Sequence, residues 1–258
     1  MKNRVLILSV GRKVALVKAF KEAGWYVVGQ DINPGAVGLR FCDEVASATE
    51  GTSVDMILPT RDAELKLGTH RCSDETIDIC VDKFRFYEWC KTNGFGTPEV
   101  YFIKPRISKS GKETEVLWQE LVGGEEYSVD LFADFGGQVI SAVPRRRSIV
   151  INGESAVTTT VRNEKLLSSS VSLARQLGLI GHNVLQCFMK ESGEILWTDV
   201  NCRFGGASDV GIRAGCWSPL WLLRLINGEG VRPRLGEYMV GMTGYSFTEW
   251  TFGGLQEP

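Results

Sequence analysis

The chain has 258 residues, 43% of them hydrophobic and 23% charged, with a formal net charge of −2 and a pI near 5.9. That length allows one large domain or two of moderate size with a sizeable core, and the near-neutral charge argues against a broad nucleic-acid surface. Seven cysteines without C-x-x-C spacing and two isolated histidines argue against a zinc site, and no apolar run suits a signal segment or a membrane span.

Residues 4–10, RVLILSV, are a short apolar run rich in β-branched residues, followed by Gly11. KVALVKAFKEAG then shows helical spacing and stops at Gly24, and WYVVGQDINP reads as a second strand closing in a polar turn. Strand, glycine turn, helix and strand make a βαβ unit, so a parallel sheet is expected in the N-terminal third. Residues 54–60, VDMILPT, suit a further strand, and residues 82–98 an amphipathic helix ending at Gly94.

From about residue 101 the pattern changes to strand-like segments separated by turns, with one helix at LLSSSVSLARQLG. DFGGQ and ESGE between strand runs read as hairpin turns. SPLWLLRLINGEGV is expected to be a closing amphipathic helix with a glycine stop. The boundary between the two patterns falls near residues 80–100. The thiols are expected to be free and buried in a reducing cytoplasm.

The densest chemistry lies in residues 197–208, WTDVNCRFGGAS. A strand repeats its facing direction every two residues, so Asp199, Asn201 and Arg203 project from one side. The ESGE hairpin brings the strand NVLQCF alongside, with Gln186 opposite Asp199 or Asn201. Gln186, Asp199 and Asn201 supply the oxygen ligands that Mg²⁺ takes, and Arg203 could neutralise charge on a transferred phosphoryl group. The same residues would equally serve as the solvent face of an edge strand.

FIKPR ends an apolar strand with Lys104 and Arg106, suited to phosphate or to an exposed strand end. WQELVGGEEYSVD carries Glu120 and Glu126, with Ser128 and Asp130 sharing the face of Glu126. PRRR places Arg145 and Arg147 on one face and Arg146, a solvated charge, on the other. His182 is expected to be structural, and Cys202 to point away from its neighbours into the core. The turn SVGRK lacks the G-x-G-x-x-G spacing of a dinucleotide site.

In this order the motifs resemble an ATP-grasp protein: DK before a helix, a lysine-ended strand, QEL with GEEYSVD, PRRR, a glutamine strand, then TDVNCRFGGAS. The nearest branch is the one related to the carbamoyl phosphate synthetase large subunit and small carboxylate–amine ligases. VLILSVGRKVALVKAFKEAGWYVVGQDINP likewise resembles the pre-ATP-grasp domain of that branch. The resemblance covers nearly the whole chain and is densest over residues 118–226.

The resemblance implies an α/β (α+β) fold. A parallel βαβ domain of residues 1–82 would precede an ATP-grasp domain of residues 83–258 with antiparallel or mixed sheets and a shortened lid at about 97–125. It implies an ATP- and Mg²⁺-dependent ligase, with Mn²⁺ as a substitute ion, forming a C–N bond through an acyl phosphate. Carried over by position, Lys83 and Lys104 match phosphate-contacting cations. Glu120 and Leu121 match the hinge beside adenine, and Glu126 the ribose-binding acid. Gln186, Asp199 and Asn201 match the metal positions, and Arg203 the arginine after them. Arg203, Lys104 and Arg147 are the catalytic candidates, and Arg145, Arg147 and Arg12 the candidate contacts to a carboxylate or amino-acid substrate. Neither nucleic acid nor membrane is expected as a partner, and a homodimer is compatible.

This chain departs from the pattern in two ways. The family usually has Glu where Asp199 stands, and its glycine-rich loop after the lysine of KPR is replaced by ISKSGKETEVLWQE. Segments also look short at 50–51, 66–72, 101–103 and 106–109. Either the member is trimmed or loop segments are absent from the chain. The second is the expected one, and it would leave Cα separations far beyond the ~3.8 Å of a trans peptide. The alternatives to a ligase are a non-catalytic ATP-binding regulatory protein and a nicotinamide-dependent oxidoreductase, which the absent glycine fingerprint disfavours.

Overall fold

The computed structural model describes residues 2–47, 51–107 and 113–250, without the side chains of 103–107 and 113–116. Strand β1 (Arg4–Ile7) is followed by α1 (Val14–Glu22), β2 (Tyr26–Gly29), a 3-10 turn (Val37–Phe41), β3 (Glu44–Val45) and β4 (Met56–Leu58). A second 3-10 turn (Asp62–Leu67), α2 (Asp74–Val81) and α3 (Lys83–Thr92) lead to β5 (Val100–Ile107) and β6 (Glu113–Gln119). Then come β7 (Glu125–Ala133), β8 (Val139–Ile151), β9 (Glu154–Thr160), α4 (Glu164–Leu177), β10 (Gly181–Met189) and β11 (Ile195–Asn201). The described chain closes with α5 (Ser208–Ala214), α6 (Ser218–Ile226) and β12 (Thr243–Tyr245).

Three sheets result: a parallel one in the order β3-β2-β1-β4, an antiparallel one in the order β11-β10-β7-β8-β9-β12, and the β5-β6 hairpin. The fold is mixed α/β, as the strand patterns imply. Val5, Leu6 and Ile7 are fully buried, as strands covered on both faces by crossovers must be. Helix starts follow local chemistry. Ser73 accepts from Thr76 N–H (3.1 Å), Asp82 from the N–H groups of Phe84 (2.9 Å) and Arg85 (3.1 Å), and Asn163 from Leu166 N–H (2.9 Å). Helix α4 stops on Gly178 at φ +68°, a conformation that disfavours any residue with a Cβ.

The six-stranded sheet separates two cores. One face carries Tyr127, Val129, Leu131, Leu185 and Trp197 against α2, α3 and α4 through Ile77, Cys80, Phe86, Leu166 and Leu173. Residues 72–81 thus pack on this sheet rather than on the parallel one. The other face contributes Phe132 and Val143 to a cluster with β1, α1, α5 and α6. Trp25, at the edge of β2, donates its indole N–H to Pro219 O at 2.8 Å, tying the parallel sheet to α6. All seven cysteines are free, five of them buried.

The expected short places at 66–72 and 101–103 fall in a hydrogen-bonded turn and in strand β5. Gly68 N–H donates to Leu65 O (3.2 Å) and Thr69 N–H to Ile57 O (3.1 Å). Strand β5 passes through 101–103 with one register irregularity between Val100 and Phe102. The other two short places, 50–51 and 106–109, run into residues 48–50 and 108–112, which lie outside the described residues. Among the described residues no helix is long and apolar enough to cross a membrane.

Candidate functional site

Strand register brings the polar residues together. Asp199 on β11 pairs with Gln186 on β10, Gln186 with Ser128 on β7, Ser128 with Arg145 on β8, and Arg145 with Thr160 on β9. Five side chains from five strands therefore form one row on one face. Glu126, Asp130 and Arg147 share that face by the two-residue alternation.

At the β11 end of the row, Asn201 Nδ2 donates to Asp199 Oδ2 at 3.2 Å. Neither Asn201 Oδ1 nor the Gln186 amide has a partner among the described residues. One carboxylate and two amide oxygens thus stand together with valences uncommitted. No three His, Cys, Asp or Glu side chains gather into a metal cage among the described residues. The donor set fits a hard cation that keeps most of its shell for phosphate and water, which is how Mg²⁺ binds. Burial pushes the Asp199 carboxyl above the ordinary range, while Lys83 at the start of α3 pulls against it. A cation beside the oxygens would relieve that cost.

Arg203, just beyond β11, binds Asp62 through two hydrogen bonds of 2.7 and 3.3 Å. Asp62 opens the 3-10 turn after β4, so this contact joins the end of the parallel sheet to the row. The two are 141 residues apart, and no local pattern signals the pairing.

Glu126 and Arg147 are ion-paired. Arg147 also donates to Ser155 Oγ (2.9 Å) and Gly153 O (2.6 Å) and is 8% exposed. This partnership could have been read from the sequence, since the DFGGQ hairpin brings two residues already assigned to one face alongside each other. A cleft of about 460 Å³ opens there, lined by Gly124, Glu126, Arg147 and Phe188 among others. Glu120 lies at the end of the β5–β6 hairpin, 3.6 Å from Lys190, its N–H donating to Glu99 O at 2.8 Å. Leu121 is 97% exposed. Lys104 and Arg106 fall on β5, and their side chains lie outside the described residues. Arg12 is exposed in the loop after β1.

Arg145 is a correction. Expected to touch substrate, it is 1% exposed, with Nε 2.5 Å from Asp130 Oδ2 and Nη1 3.1 Å from Thr158 Oγ1. Asp130 is fully buried, and His182 Nε2 lies 3.4 Å from its Oδ1. His182 is further held by Ser218 (2.7 Å) and Ser208 (3.1 Å) and stacks on Phe204 with ring centroids 4.0 Å apart. Helix α5 covers the cluster so closely that a Cβ on Gly211 would fall 2.2 Å from Asp130 Oδ2. The fork of Arg145 is spent inside the core and cannot reach a ligand.

Solved structures show the same architecture. The biotin carboxylase domain dimer of Hydrogenobacter thermophilus 2-oxoglutarate carboxylase, in complex with MgADP, ADP and bicarbonate, aligns with TM-score 0.71 and 14% identity over 94% of this chain and 74% of that one. The phosphoribosylaminoimidazole carboxylase ATPase subunit from Aquifex aeolicus gives 0.70 and 17% over 89% and 78%. Phosphoribosylglycinamide synthetase from Anaerococcus prevotii gives 0.65 and 15% over 89% and 76%. At these identities the likeness shows the fold alone. No curated protein matches the sequence significantly. The family model for ATP-grasp in the biosynthetic pathway with Ter operon, however, matches residues 112–243, just over half of the 258. The chain therefore belongs to that family, within the ATP-grasp superfamily.

Proposed function

We propose that the protein is an ATP- and Mg²⁺-dependent ligase that activates a carboxylate as an acyl phosphate and transfers it to an amine. The observation that carries this reading is the facing of Gln186 and Asp199 across two strands, with Asn201 bonded to Asp199. Those three would hold the ion, which supplies charge neutralisation at the nucleotide phosphates. Lys83 and Lys104 bind phosphate oxygens, the hinge of Glu120 and Leu121 receives the base, and the free side of Glu126 takes the ribose. Arg147 acts through Glu126 as a positioning residue. Arg203, already oriented by Asp62, stabilises charge on the transferred group. Catalysis on this reading is positioning and electrostatics, as in phosphoryl transfer generally.

The test is ADP and phosphate release from Mg²⁺-ATP across a matrix of carboxylic acids and amino acids. Release that depends on an acid and an amine together supports the ligase. A second reading, ATP binding without turnover, is favoured by the short connection between β5 and β6: only residues 108–112 stand where the family carries its glycine-rich loop. Nucleotide binding without release across the whole matrix would select it.

A further inference from the structure

The parallel sheet ends beside this site, and the charges at its rim are largely uncommitted. In the order β3-β2-β1-β4 the chain leaves β1 toward β2 on one side and returns as β4 on the other. The loops after β1 and β4 therefore part at the switch point, where open α/β sheets bind ligands. The rim is firmly built. Ser9 Oγ donates to Glu64 Oε1 at 2.5 Å, and Thr60 Oγ1 to the carbonyls of Leu8 (2.9 Å) and Ser9 (2.8 Å). Gly11 N–H donates to Asp31 Oδ2 at 2.7 Å. Ser9 and Gly11 both hold left-handed backbone, at φ +48° and +49°, which glycine adopts freely but which is strain at Ser9 that a rigid surround must maintain.

Arg12, Lys13 and Arg61 stand on this rim. Among the described residues none of the three has an ion-pair partner or a side-chain hydrogen bond. Lys13 is half-buried. Burial lowers its pKa first, Arg203 and Arg61 add to the effect, and Glu154 and Glu64 oppose it only in part. Arg203 is paired with Asp62, while Lys13 has Glu154 and Glu64 near it as opposing charges but is ion-paired to neither among the described residues. Within the same rim, Glu64 Oε2 is buried with no hydrogen-bond partner among the described residues, an acceptor that a donor group on a ligand, and not its anionic end, would satisfy. A half-buried ammonium beside a guanidinium is unfavourable until an anion arrives.

We propose that Lys13 and Arg61, with Arg12 at the mouth, form a subsite for a second anionic group of the substrate, distinct from the carboxyl that is activated. The acid accepted is then an organic dianion whose remote end is a carboxylate or a phosphate-type group. Arg203 separates the two ends: it lies two residues beyond Asn201 and is bonded to Asp62, the neighbour of Arg61, so the reacting carboxyl lies on its metal side and the remote anion on its rim side. Its place in the reaction rests on the ligase reading; the anion site stands on the rim alone.

The test is calorimetric titration of the full chain with succinate, 3-phosphonopropionate and butyrate, each with and without MgADP. The same titrations are run on Lys13→Met, Arg61→Met and Lys13→Arg. The wild type should bind at least one dianion about tenfold or more tightly than butyrate. Each methionine variant should lose about that factor, as expected for one charged contact, and Lys13→Arg should keep it while certifying that the loop tolerates substitution. The tighter of the two dianions identifies the remote group. Equal binding of butyrate and both dianions, no dianion binding in either condition, or an undiminished preference in both methionine variants would overturn the subsite. Failure of MgADP to bind any form would instead overturn the ligase reading, leaving the nucleotide-free titrations to judge the rim.

Discussion

Two polar clusters share one face of the six-stranded sheet, and they differ in how far the protein completes them. Around Asp130, Arg145 and His182 are supplied internally, Thr158, Ser208 and Ser218 hold those two in place, and helix α5 seals the cluster, leaving only Asp130 Oδ1 without a hydrogen bond among the described residues. Around Asp199, the protein supplies one bond from Asn201 Nδ2 and, among the described residues, leaves Asn201 Oδ1 and the Gln186 amide open. The electrostatics diverge accordingly. Burial alone would push both carboxyls up; Arg145 and then His182 more than reverse this at Asp130, whereas Asp199 stays raised despite Lys83. A cluster closed on itself is architecture. One left incomplete at a similar position in the same sheet is where the proposed function places a ligand.

The difference can be broken most severely at the open cluster. Asp199→Ala should lower ATP turnover on the order of 10³-fold, the scale seen when one electrostatic stabiliser is removed, with an unchanged far-UV circular dichroism spectrum. Turnover within a few-fold of wild type would remove Asp199 from the site.

The closed cluster should respond in the opposite currency. Arg145→Ala leaves a buried carboxylate unpaired and should cost about 3–5 kcal/mol, read from urea unfolding. Wild-type stability with lost turnover would reverse the two roles. The acid limb sharpens this further. The folded pKa of Asp130 is held below the ordinary carboxylate value, so its contribution is present above about pH 3.9 and is lost as pH falls through the folded value. Asp130→Asn should flatten that part of an unfolding series in pH, and an unaltered acid limb would show that the pair does not govern it.

The smallest effect belongs to Arg146, one residue along on the outer face. Its bond to Glu125 (2.8 Å) joins two side chains about half exposed, so Arg146→Ala should change stability by no more than about 0.5 kcal/mol. A loss comparable with that of Arg145→Ala would mean that burial does not separate these neighbours.

Much of this arrangement was legible from local pattern. Alternation in TDVNCRF places Asp199 and Asn201 together, and the ESGE turn brings Gln186 opposite, because hairpin register follows from loop length. Alternation also assigns Arg145 and Arg147 to one face, but it reports facing and not depth. It could not show that α5 closes over Arg145 and leaves Arg147 beside the cleft. Helix α2 went unread because its eight residues, DETIDICV, hold too little apolar periodicity; its Ser73 cap and early acids were the available signal. The pairing of Arg203 with Asp62, and the gathering of Lys13, Arg61 and Glu64, arise from sheet order across distant segments. No spacing rule reaches that far.

The most direct measurement is the Mg²⁺ dependence of ADP affinity in the wild type and in Asp199→Ala. The wild type should bind ADP more tightly with Mg²⁺ than with a chelator, by about tenfold or more, and the variant should bind equally in both conditions. A variant that keeps the full Mg²⁺ advantage would contradict the assignment of Gln186, Asp199 and Asn201 as the place where ion and nucleotide meet.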